Sequence, residues 1–262
     1  MEEDGATTHG TLLGGRVAFE QPAAGYRAAI DPVLLAAAVV PEQGAALELG
    51  AGTGAASLCL AWRCPALSIV ALELAASPAA LARRNVAANG FGGRVEVVEA
   101  DVARLPPGLA ARFDAVFMNP PFAPAGSSSP SPLVARRRAH VEGEDAGLEA
   151  WVEAARRALR PRARLAMVHR AERLPAILAL LAPAFGDIEV VPLWPAAGQP
   201  ARRVVVRARR GARGGAALSP GLALHEAGGA FTAAAQAVLR DGTSLDDAIA
   251  GARACGPAAP DA

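Results

Sequence analysis

The stretch Leu47-Glu48-Leu49-Gly50-Ala51-Gly52-Thr53-Gly54 decides how the rest of the chain is read. An apolar run breaks into alternating glycines, and Ala55-Ala56-Ser57-Leu58 then opens a helical pattern. Glycine permits the left-handed backbone of a tight strand-to-helix turn and lets a ligand approach the main chain. The unpaired N–H groups that begin the helix point toward the same spot. A strand, a glycine turn and a helix in this order predict a binding turn at the edge of a parallel sheet.

The pattern repeats outward. Strand-like runs fall at 45–49, 68–73, 94–99, 114–118, 164–169, 188–193 and 203–208, with helical stretches at 55–63, 78–88, 148–159 and 173–181. A shorter connection covers 102–111, and a helix over 31–40 precedes the first strand. Strands alternating with helices imply right-handed crossovers, hence an α/β fold with a seven-stranded, mostly parallel sheet and helices on both faces. Continuous apolar runs such as Ala115-Val116-Phe117-Met118 suit strands covered on both sides. The expected organisation is one domain over 14–250, with a ligand half near 30–118 and a second half near 119–250. Residues 1–13 and the Ala/Pro/Gly-rich 251–262 are expected to be flexible. A Pro/Ser-rich segment at 123–147 interrupts the pattern directly after the fourth strand, where a long loop is usually functional or disordered.

Composition narrows the function classes. The 262 residues suffice for one large core, and their 52% apolar content is dominated by small residues, with only 4% aromatic. No apolar run approaches the roughly 20 residues of a membrane span, and Glu2, Glu3 and Asp4 are unlike a signal peptide. A cytoplasmic location is therefore expected. Cys59, Cys64 and Cys255 match no metal-ligand spacing, and His9, His140, His169 and His225 are far apart, so no metal is expected. A net charge of +1 argues against a chain that coats nucleic acid generally. Every basic residue is nonetheless Arg, and these cluster at Arg136, Arg137 and Arg138 and from Arg202 to Arg213. Such local patches can meet the phosphates of a structured RNA, although Arg203 and Arg207 can equally flank a solvated edge strand.

Acids at successive strand ends complete a ligand site. Glu73 closes the second strand, where a carboxylate can accept both hydroxyl hydrogens of a ribose. Asp101 follows the third, within reach of an adenine amine. Glu48 precedes Gly50, Gly52 and Gly54 and can organise the turn. The spacing of Gly50, Gly52 and Ala55 also fits a dinucleotide fingerprint, so the glycines alone are ambiguous.

Asn119-Pro120-Pro121-Phe122 follows the fourth strand, on the edge that carries Gly50 and Glu73. The residues suit a planar amine, whose delocalised lone pair is a poor nucleophile until the nitrogen pyramidalises. The Asn119 side-chain oxygen and the Pro120 carbonyl can accept its two hydrogens, the prolines stiffen the turn, and Phe122 can stack on a base. A plain Pro-Pro turn with Phe122 in the core is the alternative.

Together these residues resemble class I, Rossmann-like methyltransferases of the amino-methylating group that carries (Asn/Asp/Ser)-Pro-Pro-aromatic. The acid-x-Gly-x-Gly-x-Gly signature, with Glu48 as the acid, favours that group over dinucleotide enzymes. The segment Gly25-Tyr26-Arg27-Ala28-Ala29-Ile30-Asp31-Pro32-Val33-Leu34-Leu35-Ala36 is similar to the corresponding segment of the bacterial tRNA(Val) adenine-37 N6-methyltransferase family. The resemblance implies S-adenosyl-L-methionine held by Glu48, Gly50, Gly52, Gly54, Glu73, Asp101 and Asn119. It implies methyl transfer at Asn119, Pro120, Pro121 and Phe122, and RNA, with tRNA foremost, met by Tyr26, Asp31 and Arg136–Arg138. It also implies that Asp31 caps a helix lining the pocket. Phe122 stands where close relatives carry Tyr, which keeps stacking and loses a hydroxyl.

Three rivals are weighed against this. A glutamine N5-methyltransferase of the release-factor type shares the Asn-Pro-Pro logic but normally carries a helical N-terminal domain. Another RNA, such as rRNA, fits the same site. A DNA enzyme would need a separate unit to open the duplex.

Overall fold

Alternation within β3 (Gly44–Leu49) sets the architecture. Leu47 and Leu49 point to one face and Ala46 and Glu48 to the other, and all four are buried. A strand covered on both faces belongs inside a sheet flanked by helices. The computed structural model, which describes residues 6–24, 30–121 and 144–254, has that arrangement.

The elements run β1 (Thr7–Leu12), β2 (Val17–Pro22), α1 (Asp31–Ala37), β3, α2 (Ala55–Arg63), β4 (Leu67–Glu73), α3 (Ala76–Ala88), β5 (Val95–Glu99) and β6 (Phe113–Met118). After residue 143 follow α4 (Glu144–Ala158), β7 (Leu159–Arg170), α5 (Leu174–Leu181), β8 (Phe185–Ala196), β9 (Arg203–Arg210), β10 (Ala216–Leu218), β11 (Leu222–His225), α6 (Ala233–Asp241) and α7 (Leu245–Ala254). The main sheet has the order β5-β4-β3-β6-β7-β9-β8, with β10 and β11 both parallel to β8 on its outer edge. Only β9 runs against its neighbours.

Each face of the sheet carries its own core. Ala46, Ile69, Phe117, Val168 and Val205 pack under α1, α2, α6 and α7. Leu49, Leu72, Met118, Met167 and Val206 pack under α4 and α5. Burial of such side chains contributes roughly 1.5–3 kcal/mol each, which makes the strand register hard to shift.

All seven expected strands form, but the sheet has nine because β10 and β11 extend it. Both are short and lie among glycines and prolines, so alternation could not reveal them. Residues 7–12, expected to be flexible, form β1 and pair with β2 in an antiparallel hairpin. Asn85 and Asn89 on α3 hold that hairpin. Asn85 accepts from the Glu20 N–H and donates to the Glu20 carbonyl, each at 2.8 Å, and Asn89 makes the same pair of bonds to Ala18. The connection at 102–111 consists of two short 3₁₀ turns, Val102–Arg104 and Pro107–Leu109, because Pro106 and Pro107 interrupt a longer helix. The helices α6 and α7 were not expected, although their signals are local. Thr232 accepts from the Ala235 N–H and Gly242 closes α6 in the left-handed region, while Ser244 accepts from Asp247 at the start of α7. The tail expected from residue 251 remains helical to Ala254.

The strand at 203–208 is not a solvated edge. β9 is inserted between β7 and β8, and Val204, Val205 and Val206 are buried. Arg207 is consumed structurally: it lies 2.5 Å and 2.8 Å from the Asp246 carboxylate and 3.0 Å from Glu189.

Candidate active site

Parallel register brings the candidate residues to one edge. Leu49 is level with Leu72 on β4 and with Met118 on β6, and Glu73 is level with Glu99 on β5. Gly50, Glu73, Asp101 and Asn119 therefore leave the sheet at the carboxyl ends of adjacent strands. At about 4.8 Å between strands, this row spans roughly 15 Å.

The glycines of the turn have different roles. Gly50, Gly52 and Gly54 all have positive φ (68°, 57° and 88°), which only glycine adopts without strain. A β-carbon on Gly50 would come within 2.2 Å of the Trp151 ring on α4, whereas one on Gly52 would meet nothing within 4 Å among the described residues. Gly52 thus borders open space, and Gly50 is held from behind.

Glu73 fastens the turn. One carboxylate oxygen accepts the Gly52 N–H at 2.8 Å and the other the Ala75 N–H at 2.9 Å. Each oxygen keeps a further lone pair for a ligand hydroxyl. Asn85 reaches the turn from the other side, donating to the Thr53 carbonyl at 3.0 Å. Asp101 accepts the Ala103 N–H at 2.9 Å, capping the turn after β5.

Glu48 is the buried acid of the group, 3% exposed, and accepts both the N–H and the hydroxyl of Ser57. Burial pushes its carboxyl up to about 8, opposed by the Ser57 hydrogen bonds and assisted by the charge of Glu73. Burial, with Glu48 nearby, likewise raises the Cys59 thiol.

Asn119 follows β6 beside Gly50, and Pro120 behind it is buried. The Asn119 Oδ1 atom is buried and has no hydrogen-bond partner among the described residues. An unpaired buried acceptor costs about 1–3 kcal/mol, so such atoms are few in folded proteins and invite an explanation.

Asp31 is placed otherwise than as a cap. It is the first residue of α1, where no side chain caps the helix, and its carboxylate pairs with Arg203 at 3.1 Å. Arg203 opens β9 opposite Arg170, so the pair lies on the carboxyl edge, two strands from Asn119 across β7. Tyr26, Phe122, Arg136, Arg137 and Arg138 lie outside the described residues. Sequence reasoning overlooked Trp151 and Asn85, because neither belongs to a local motif and both act through contacts far along the chain. Among the described residues no group of His, Cys, Asp or Glu is arranged to hold a metal ion, and no helix is long and apolar enough to cross a membrane.

The model of the methyltransferase small domain family matches residues 30–193. The chain is 34% identical to the tRNA1(Val) (adenine(37)-N6)-methyltransferase of Aeromonas hydrophila, over 69% of this chain and 75% of that one. It is 31% identical to the enzyme of the same name from Porphyromonas gingivalis, over 60% of this chain and 63% of the relative's length. Among solved structures, a predicted O-methyltransferase of Agrobacterium tumefaciens superposes with a TM-score of 0.66 at 28% identity, covering 79% of this chain and 94% of that one. A family match across more than half of the residues, on a sheet of this order, identifies the chain as a member of the methyltransferase small domain family.

Proposed function

We propose that the chain is an S-adenosylmethionine-dependent N-methyltransferase acting on the exocyclic N6 amine of adenine in RNA, with tRNA the preferred substrate. The observation that carries the reading is the buried, unpaired Asn119 Oδ1 at the strand end beside the glycine turn. A planar amine supplies the donor that this atom lacks. The names of the Aeromonas and Porphyromonas relatives support adenine in tRNA.

The residues fit the cofactor. Open space borders Gly52, the Glu73 carboxylate retains lone pairs for ribose hydroxyls, and Asp101 has a second oxygen for the adenine amine. Glu48 braces the turn through Ser57 at the amino-acid end. When bound, S-adenosylmethionine supplies a methyl group made electrophilic by a sulfonium.

The chain contributes orientation and electrostatics. Asn119 Oδ1 and the Pro120 carbonyl accept the two amine hydrogens, which turns the nitrogen lone pair toward the methyl. With the cofactor bound, that lone pair would form the new N–C bond as the sulfonium–methyl bond breaks and a neutral thioether leaves. The surplus proton then passes to solvent, since neither acceptor is basic. Phe122 is proposed to stack on the base. We expect the protein to work in the cytoplasm, as a single methyltransferase unit over 14–250.

The test supplies methyl-labelled cofactor with tRNA, rRNA, DNA or cell protein, using wild type and Asn119→Ala. N6-methyladenosine in tRNA is expected, with turnover about 10²–10³-fold lower in the variant by analogy with loss of one transition-state hydrogen bond. Label appearing as N5-methylglutamine in protein would replace the substrate, and failure to bind S-adenosylmethionine would overturn the reading.

A further inference from the structure

The glycine turn after β3 depends on fastenings from outside itself. Gly50, Gly52 and Gly54 all carry positive φ, and glycine loses more backbone freedom on ordering than any other residue. A ligand that needs one conformation of such a turn binds more tightly where the protein has already imposed it. Whatever holds the turn therefore contributes to binding without touching the ligand.

The peptide between Thr53 and Gly54 is held from both sides. Its N–H, on Gly54, donates to the Ala51 carbonyl at 2.9 Å, within the turn. Its carbonyl, on Thr53, accepts from Asn85 Nδ2 at 3.0 Å, a bond that reaches across 32 positions of chain. Gly54 is also the N-cap of α2, at a φ of 88° and with no side-chain cap, so the direction of this peptide sets how the helix begins. Without Asn85 the carbonyl can rotate away, because the glycine that follows it accepts either sign of φ.

Asn85 takes its own orientation from the N-terminal hairpin. The side chain is buried, and its oxygen accepts the Glu20 N–H while its nitrogen donates to the Glu20 carbonyl, each at 2.8 Å. One oxygen and two N–H groups, all engaged, leave a single orientation for the amide. Glu20 lies on β2, which Val17 and Phe19 anchor in the core. Asn89, at the C-cap of α3, makes the same two bonds to Ala18, at 2.9 Å and 2.8 Å. Its further bond goes to the Asn85 carbonyl, inside its own helix end. The hairpin thus has two clamps on α3, and Asn85 is the one that continues to the glycine turn.

We propose, resting on the S-adenosylmethionine reading above, that Asn85 is a positioning residue for the cofactor and that the hairpin Thr7–Pro22, by orienting its amide, belongs to the cofactor-binding unit. In this role Asn85 acts through the Thr53 backbone.

The test compares Asn85→Ala with Asn89→Ala, which removes the equivalent hairpin bonds and spares the turn. S-adenosylmethionine binding is measured by calorimetry at a temperature where melting curves show both variants folded, with KM and kcat on tRNA alongside. Loss of one net hydrogen bond at the turn should weaken cofactor binding about tenfold in Asn85→Ala, against less than about twofold in Asn89→Ala. KM for the cofactor should rise in step, while kcat at saturating cofactor stays within about threefold. Equal cofactor affinity in the two variants would make Asn85 a hairpin clamp alone and overturn the proposal. Wild type supplies a second measurement that no folding defect can spoil. Saturating cofactor should slow hydrogen exchange at Gly54 and at Glu20 together, and slowing at Gly54 with Glu20 unchanged would also overturn it. Wild type that binds no S-adenosylmethionine would remove the cofactor reading itself, and the positioning role with it.

Discussion

Trp151 on α4 rests against Gly50, so close that a β-carbon at residue 50 would fall 2.2 Å from a ring carbon. The indole comes from the helix after β6, and the glycine ends β3, so one contact joins the two halves of the site. Neighbouring Gly52 has the same left-handed backbone but faces open space.

The two glycines are therefore expected to respond differently to alanine. Gly50→Ala meets both backbone strain and the ring, and should destabilise the fold by about 2–4 kcal/mol. Gly52→Ala meets only the backbone penalty of about 1–2 kcal/mol, but its methyl group enters the proposed cofactor space. Thermal melts should rank Gly50→Ala as the less stable, while cofactor titration should show the larger loss per degree of destabilisation in Gly52→Ala. Equal behaviour in both assays would contradict the difference in their surroundings.

Glu48 makes stability depend on pH. Folding raises its carboxyl from an ordinary 4.5 to about 8, so the folded chain holds a proton that the unfolded chain releases. The resulting stabilisation is fully present below about pH 4.5 and is lost as pH rises through 8, a change on the order of a few kcal/mol. Glu48→Gln should melt at a higher temperature than wild type at pH 8.5, and the advantage should shrink toward pH 5.5. Parallel melting curves across that range would mean that Glu48 is ionised throughout.

Asn85 is expected to hold the N-terminal hairpin and the glycine turn together, since its one amide bonds Glu20 twice and Thr53 once. Asn85→Ala should cost about 1–3 kcal/mol by leaving half-buried backbone groups unpaired. Hydrogen exchange should quicken at Ala18 and Glu20 more than in the central strands. Uniform acceleration would point instead to global loss of stability.

Arg207 is held on β9 by Asp246 and Glu189. Its partners are partly exposed, which moderates the cost of removing it, and Arg207→Ala should destabilise by about 1–3 kcal/mol through the loosened contact of β9 with α7. The salt slope of tRNA binding should not change. A fall in that slope would enlist Arg207 in phosphate contact.

The sequence by itself determined the architecture and the row of candidate residues. Uninterrupted apolar runs such as Ala115–Met118 mark buried parallel strands. Gly50, Glu73, Asp101 and Asn119 each stand at the end of a strand or within two residues after it, and Gly52 and Gly54 continue the turn from Gly50, so topology alone carries them to one edge. These are local signals, and the period of a strand or helix is written in a few neighbouring residues. Tertiary structure decided what depends on partners distant in sequence. It gave Trp151 to Gly50, Asn85 to Thr53 and Glu20, and Asp31 to Arg203 across 172 positions of chain. It also divided one run of arginines, burying Arg207 against Asp246 and leaving Arg202 exposed beside Arg170. Arginines in a run look alike in sequence, and only the side chains brought against each one decide whether its charge is spent inside the fold or left for a ligand.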